Sequence, residues 1–329
     1  MRRRIPALQR RSVWRKVWVP WSTRYSGEVS IHTHGGVASM GCCRYNNFFA
    51  TLADRSTIRK NLRMSIDLAV VPVAGRGTRL LPLTKSQPKE MLAVGRSPVV
   101  QYVAEELHRC DIHRLIFVTG PGKAAIENHF DTDNELIQHL RETGKEEILQ
   151  DLSFEREDLE FFYTRQRQQL GLGHAVLCAK PLVGEQNFVV ALGDSILGVS
   201  AQSQIVRTMV DQFEQQGVEA VIAFEEVPAA EVIHYGIAEP KGEVDAVFEL
   251  ADLIEKPSVS EAPSRLAVAA RYVFSSKIFD CLERTQPGKN NEIQLTDAIR
   301  MLIQDGGRVL GVRLPDTERR YDIGSYERY

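Results

Sequence analysis

From residue 66 onward, short apolar runs alternate with longer stretches in which apolar side chains return every three or four positions. The runs at 68–74, 114–119, 159–164, 187–193, 219–225, 247–254, 266–274 and 308–314 are rich in Val, Ile, Phe and Ala. Such composition belongs to strands covered on both faces. The stretch 98–109 opens with Pro98 in its first turn and brings Val99, Val103 and Leu107 onto one face, as a helix packed on a core would. Helical spacing recurs at 133–150, 202–216 and 292–304. The alternation predicts an α/β domain over 66–329, with a layered α/β/α arrangement around a mixed, mostly parallel central sheet. In sheets of this kind ligands sit beyond the carboxyl ends of the strands, so the residues just after each strand are the first candidates for function.

The first 63 residues break this pattern. They hold thirteen Lys and Arg against two acids, Glu28 and Asp54, and all three tryptophans of the chain, Trp14, Trp18 and Trp21. No helical or strand period is sustained there. Two readings fit residues 1–65 as a basic N-terminal extension: a targeting segment of transit-peptide composition, or upstream sequence preceding a start at Met64. Either way the segment is expected to be poorly ordered. Of the 41 basic and 43 acidic residues in the whole chain, 28 and 41 remain after residue 63. If this acidic remainder binds anions, its cations must be concentrated locally. Five cysteines, with Cys42 and Cys43 adjacent and Cys110, Cys178 and Cys281 scattered, form no CxxC pair and suit a reducing, cytoplasmic setting. No apolar run reaches the ~18 residues of a membrane span. Net charge near zero favours neither a membrane nor a nucleic acid as partner.

The densest cluster of unusual residues comes directly after the first strand. Gly75-x-Gly77-Thr78-Arg79 is succeeded by Pro82, Thr84-Lys85 and Pro88-Lys89-Glu90-Met91. Two glycines two apart let the backbone approach a ligand and expose its N–H groups, and Arg79, Lys85 and Lys89 bring cations to the same turn. The physical reading is a cradle for a polyphosphate. The Walker pattern is absent, and Leu80 stands where a dinucleotide fingerprint would need its third glycine.

The whole run resembles the signature of the bacterial UTP–glucose-1-phosphate uridylyltransferases, within the nucleoside-diphosphate-sugar pyrophosphorylases. The resemblance continues in order through Pro98-Val-Val-Gln-Tyr102, Ile126-Glu-Asn-His-Phe-Asp131, Gly171-Leu-Gly-His-Ala175, Glu255-Lys-Pro257, Arg271-Tyr272 and Glu292-Ile-Gln-Leu-Thr-Asp297. It implies a Rossmann-like nucleotidyltransferase domain that makes UDP-glucose and pyrophosphate from UTP and glucose 1-phosphate, with Mg²⁺ as cofactor and the working protein a homo-oligomer. A thymidylyltransferase and a non-catalytic regulatory paralogue are the alternatives, but a regulatory copy should have lost Thr78 or Arg79.

The resemblance assigns roles residue by residue. Ala74, Gly75, Gly77 and Thr78 would bind nucleotide, and Arg79 and Lys89 would act on the α-phosphate and leaving pyrophosphate. Gln166 and Gly171 would meet the uracil edge, although Leu170 stands where many relatives have Lys. Gly236 and Glu255 would contact glucose hydroxyls, and Lys256 the sugar phosphate. Asp194 at the end of 187–193 reads as a metal ligand, and the resemblance gives it Asp322 as partner, with Ile323 where relatives commonly have Cys. His129 and His174 are read as structural. Relatives usually run on past the Asp322 motif, so the chain reads as short at its C-terminus.

The extension can be tested directly. A chain spanning 64–329 should keep its turnover within about tenfold of the full chain, or ~1.4 kcal/mol of barrier; a larger loss in a steady-state assay would assign residues 1–63 a working role.

Overall fold

The computed structural model describes residues 66–156, 158–198, 202–326 and 329, and the expectation for 1–65 lies outside them. The first of its strands are β1 (Leu68–Pro72), β2 (Ala93–Val94), β3 (Ser97–Pro98), β4 (Arg114–Thr119), β5 (Glu160–Arg165), β6 (Phe188–Ala191) and β7 (Ser195–Leu197). They are followed by β8 (Ala220–Glu226), β9 (Gly236–Pro240), β10 (Val247–Glu255), β11 (Leu266–Phe274), β12 (Val309–Arg313) and β13 (Arg320–Asp322). Nine form one sheet in the order β5-β4-β1-β6-β11-β8-β12-β10-β9. Strands β5, β4, β1 and β6 are mutually parallel, as are β8 and β12, while β11 and β10 run against their neighbours. The parallel set therefore ends along one edge, where the segments after β1, β4, β5 and β6 meet.

Two apolar clusters lie on opposite faces of this sheet. Ala69 and Val71 of β1 turn toward α1 (Val99–Arg109) and α6 (Ile205–Gln216), packing with Val103, Leu107, Met209 and Phe213. Leu68 and Val70 turn the other way, toward α4 (Leu172–Leu177), α7 (Ile278–Arg284) and α8 (Leu295–Gln304). The alternation is the period of two that a strand imposes, and both faces are apolar because both are covered. Each fully buried aliphatic side chain here contributes roughly 1.5–3 kcal/mol by leaving water. The remaining helices, α2 (Ala124–Phe130), α3 (Asn134–Glu142) and α5 (Lys180–Val183), are short. None of the described helices is long and apolar enough to cross a membrane.

Some elements depart from the sequence pattern. The helix expected over 133–150 ends at Glu142, because Gly144 adopts φ +68° and a separate 3₁₀ segment begins at Glu146. The strand β9 was invisible to hydrophobic patterning, since Glu239 and Pro240 interrupt its apolar start. Asp322 follows the strand at 308–314 after a short loop. It lies on β13, which pairs antiparallel with β7 so that Asp322 stands opposite Ser195.

At the edge, β1 and β6 come so close that Gly193 has no room for a side chain. A Cβ there would lie 2.5 Å from Val73 Cγ1. Gly193→Ala should therefore force the two strand ends apart, at about 1–3 kcal/mol, and move Asp194 with them. Denaturant unfolding should show a lowered midpoint together with reduced turnover; an unchanged midpoint would mean that the strand ends yield at no cost.

Candidate active site

The loop after β1 is built on tight turns. Gly77 takes φ +64°, a left-handed conformation that a side chain would strain, and caps the 3₁₀ turn Thr78–Leu80. The Thr84 hydroxyl donates to Gly77 O at 2.6 Å, closing the loop on itself. A later 3₁₀ turn, Lys89–Met91, brings Lys89 under Gly75. A Cβ on Gly75 would lie 3.6 Å from Lys89 Cε, so the bare backbone and the ammonium share one wall.

Lys89 reaches across to Asp194, and their side chains form an ion pair. Burial alone would lower the Lys89 pKa, but the carboxylates of Asp194, Glu90 and Asp322 outweigh it and hold the ammonium charged well above its usual range. Burial also opposes the charge on Asp194, but Lys89 and its hydrogen bond keep the carboxyl below the ordinary carboxylate range. Behind them Glu90 and Lys123 form a second, buried pair at 2.7 Å, joining this loop to the turn after β4. Desolvation there raises Glu90 and lowers Lys123, each partly offset by the other's charge.

A cavity of about 470 Å³ opens above this pair, lined by Ala74, Gly75, Thr78, Lys89, Gln166, Gly171 and Asp194 among others. Gln169 also lines it, donating from Nε2 to Ala74 O at 2.7 Å and accepting from Arg76 Nε at 2.5 Å. Gly171 takes φ +102° at the start of α4, and a Cβ there would meet Ile293 O at 2.7 Å. The backbone after Leu170 is thus pressed against the segment 292–294, and Ile293 N donates to Leu170 O at 2.7 Å.

The segment 192–195, which carries Asp194, is held from two sides by β11. Leu192 N donates to Ala270 O at 3.1 Å, and Arg271 Nη2 donates to Ser195 O at 2.9 Å. Ala270 sits at φ +60°, inside a register shift between Val268 and Tyr272. Such a conformation costs an alanine about 1–3 kcal/mol and persists only where neighbours over-determine it. Arg271 is itself fully buried and pairs through two nitrogens with Glu106 of α1, at 3.1 and 2.6 Å. From the other side, Ile323 N donates to Asp194 O at 3.0 Å, bringing the segment that carries Asp322 alongside. Two carboxylates on hydrogen-bonded neighbouring segments make a donor set of hard oxygens that suits a divalent cation.

A further group of residues assembles where β9 meets β10. Gly236 is in register with Glu255, and a Cβ on Gly236 would lie 3.5 Å from Glu255 Oε2. The Thr296 hydroxyl of α8 donates to that same Oε2 at 2.7 Å, while Lys256 pairs with Oε1 at 2.7 Å. Lys256 has φ +48°, a turn that ends the strand and is tied back by Lys256 N to Tyr235 O at 2.8 Å. Tyr235 and Asp322 line a second cavity of about 570 Å³, in which Arg320 stacks over the Tyr235 ring at 4.4 Å.

The sequence-derived residues thus fall into two groups, one around the loop after β1 and one around β9 and β10, with Asp322 lining the cavity that also meets Tyr235. Gly77 shapes its loop without lining the first cavity, and Arg79 is exposed on its turn and does not line it either. Sequence reasoning missed Arg76, Gln169 and Thr296. Thr296 lay inside a motif already singled out, but for Gln169 no signal existed, because its partner Ala74 O is 95 positions away.

The nucleotidyl transferase family model matches residues 68–329. The UTP–glucose-1-phosphate uridylyltransferase YngB of Bacillus subtilis is 42% identical over 263 residues, covering 80% of this chain and 86% of its own. Among solved structures, a UTP-bound UGPase from Acinetobacter baumannii is 40% identical with a TM-score of 0.73, covering 80% of this chain and 90% of that one. A UDP-glucose pyrophosphorylase complexed with UDP-glucose is 37% identical with a TM-score of 0.72, covering 80% and 96%.

The grip of Arg271 can be separated from its charge balance. Arg271→Met leaves Glu106 buried and unpaired and should cost about 3–5 kcal/mol. The double variant Glu106→Met with Arg271→Met should recover most of that stability while turnover stays low, since Ser195 O has lost its donor. Unfolding midpoints read beside turnover check this; a double variant with normal turnover would make the pair purely structural.

Proposed function

The chain belongs to the nucleotidyl transferase family, and from that premise we propose how its residues convert UTP and glucose 1-phosphate into UDP-glucose and pyrophosphate. The observation that carries this reading is the single cavity joining the glycine loop, the Lys89–Asp194 pair and Gln166. It offers backbone N–H groups for phosphates, a cation, a carboxylate and an amide for a base. Similarity to uridylyltransferases over four-fifths of the chain supports UTP as the nucleotide.

In this mechanism Gln166 and the backbone at Gly171 hold the uracil edge. Ala74, Gly75, Gly77 and Thr78 form the backbone cradle under the triphosphate. Gly236 and Glu255 meet glucose hydroxyls, and Lys256 holds the sugar phosphate. That phosphate is already ionised, so its oxygen attacks the α-phosphorus without a general base and pyrophosphate leaves in line. The obstacle is repulsion: one pair of unit charges ~4 Å apart costs roughly 4 kcal/mol at an effective dielectric near 20. Lys89 offsets it by exchanging partners, from Asp194 to the α-phosphate. Arg79, exposed on its turn, meets the charge that develops on the pyrophosphate, which is the kind of interaction that lowers a barrier. Asp194 and Asp322 would hold a divalent cation, Mg²⁺ in our reading. When bound, it neutralises phosphate oxygens and fixes their geometry. The reaction would run in the cytoplasm, in a homo-oligomer.

Pyrophosphate release measured with glucose 1-phosphate and each nucleoside triphosphate in turn tests this. UTP should turn over fastest, with no release when the sugar phosphate is omitted. A preference for dTTP would move the chain to thymidylyl transfer, and no release with any nucleotide would overturn catalysis. Asp194→Asn and Asp322→Asn should each nearly abolish turnover, and the double variant should be little worse than either, because both act through one ion. Losses that multiply independently would refute the shared site.

A further inference from the structure

We infer that His174 makes the amide of Gln166 an acceptor-only group toward the nucleobase, and so selects bases that carry an N3–H, uracil or thymine, against cytosine. The inference rests on the nucleotide reading of the cavity given above.

The Gln166 side chain is buried at the cavity wall, and its Nε2 lies 3.0 Å from two atoms: Gly171 O and His174 Nδ1. A carbonyl oxygen only accepts, so the amide atom facing Gly171 O must be the nitrogen, and the orientation of the amide is set by chemistry alone. That nitrogen carries two hydrogens. One goes to Gly171 O and the other to His174 Nδ1, which must therefore be a bare lone pair, with the ring proton on Nε2. Burial lowers the His174 pKa and so favours the neutral ring this requires. The Cys178 Sγ lies farther from the same Nδ1, at 3.9 Å.

With both Nε2 hydrogens consumed, Oε1 is what the amide has left to offer, and Gln166 lines the cavity. Uracil and thymine present an N3–H to such an oxygen. Cytosine in the same pose presents a lone pair at N3, so lone pair would meet lone pair, and its N4–H₂ would reach Oε1 only after an in-plane shift of the base. Were one N–H of Gln166 free, a small rotation of the amide would let it donate to cytosine N3, and the discrimination would relax. His174 acts only through Gln166 and is a positioning residue.

Two variants and one spectrum test this. His174→Phe removes the acceptor. His174→Asn keeps one, because Asn Oδ1 falls near the place of His Nδ1. The ratio of kcat/KM for UTP to that for CTP should fall about tenfold or more in His174→Phe, chiefly through a lower KM for CTP, and stay within about threefold of the original in His174→Asn. Calorimetric Kd values for UTP and CTP without sugar phosphate should move in parallel. That arm judges His174 even if the full chain makes no UDP-glucose, which would count against the catalytic reading alone. A folded His174→Phe with an unchanged ratio, or an original chain that does not discriminate UTP from CTP, overturns the inference. Independently of any variant, long-range ¹H–¹⁵N spectra of histidine-labelled protein should place the His174 proton on Nε2; a proton on Nδ1 overturns it.

Discussion

Arg271 gives its hydrogen bonds to groups that would otherwise be free to move apart. Its guanidinium reaches Glu106 on α1, Ala270 O on its own strand and Ser195 O on β7, all out of contact with water. An ion pair so deeply buried is expensive to desolvate, and apolar residues of similar volume would often stabilise a core as well. What the pair adds is geometry. It fixes the segment 192–195 against β11 while β13 pairs with its other side, so that Asp194 and Asp322 are set by interlocking strands rather than by a loop. The left-handed Ala270 is the backbone counterpart of the same constraint.

The electrostatics of the site depend on that placement. The domain carries more acid than base, yet Lys89 stands in the wall of the cavity beside the glycine loop. Lys89 meets Asp194, each charge stabilising the other in a setting whose burial opposes both. In the proposed mechanism this pair supplies both signs, an ammonium for a phosphate and a carboxylate for a metal. Glu90 and Lys123 repeat the arrangement one layer deeper, where it joins two loops.

The division of the sheet matches the two substrates of the proposed reaction. The parallel half, β5 to β6, ends in the cradle, the amide of Gln166 and Asp194. The mixed half supplies β9 and β10, whose register puts Gly236 beside Glu255. Segment 292–296 spans both: its backbone packs on Gly171 and Thr296 bonds Glu255. A motif of six residues thus touches both groups of site residues at once.

Much of this was legible in the sequence. The strands at 114–119 and 266–274, the helix face of Val99, Val103 and Leu107, and the loop from Gly75 to Lys89 could all be read from local pattern, because apolar period, glycine turns and clustered cations are local quantities. The end of the strand at 187–193 brought Asp194 to notice, and the resemblance to uridylyltransferases added Gln166, Glu255 and Asp322 as separate motifs. Only the tertiary structure decided how they meet. It set Asp322 opposite Ser195, turned Gln166 so that its nitrogen faces His174, and buried Arg271 against a glutamate 165 positions away. These depend on strand register and on contacts between distant segments, where a shift of one residue turns a side chain to the other face, and no window along the chain contains that information.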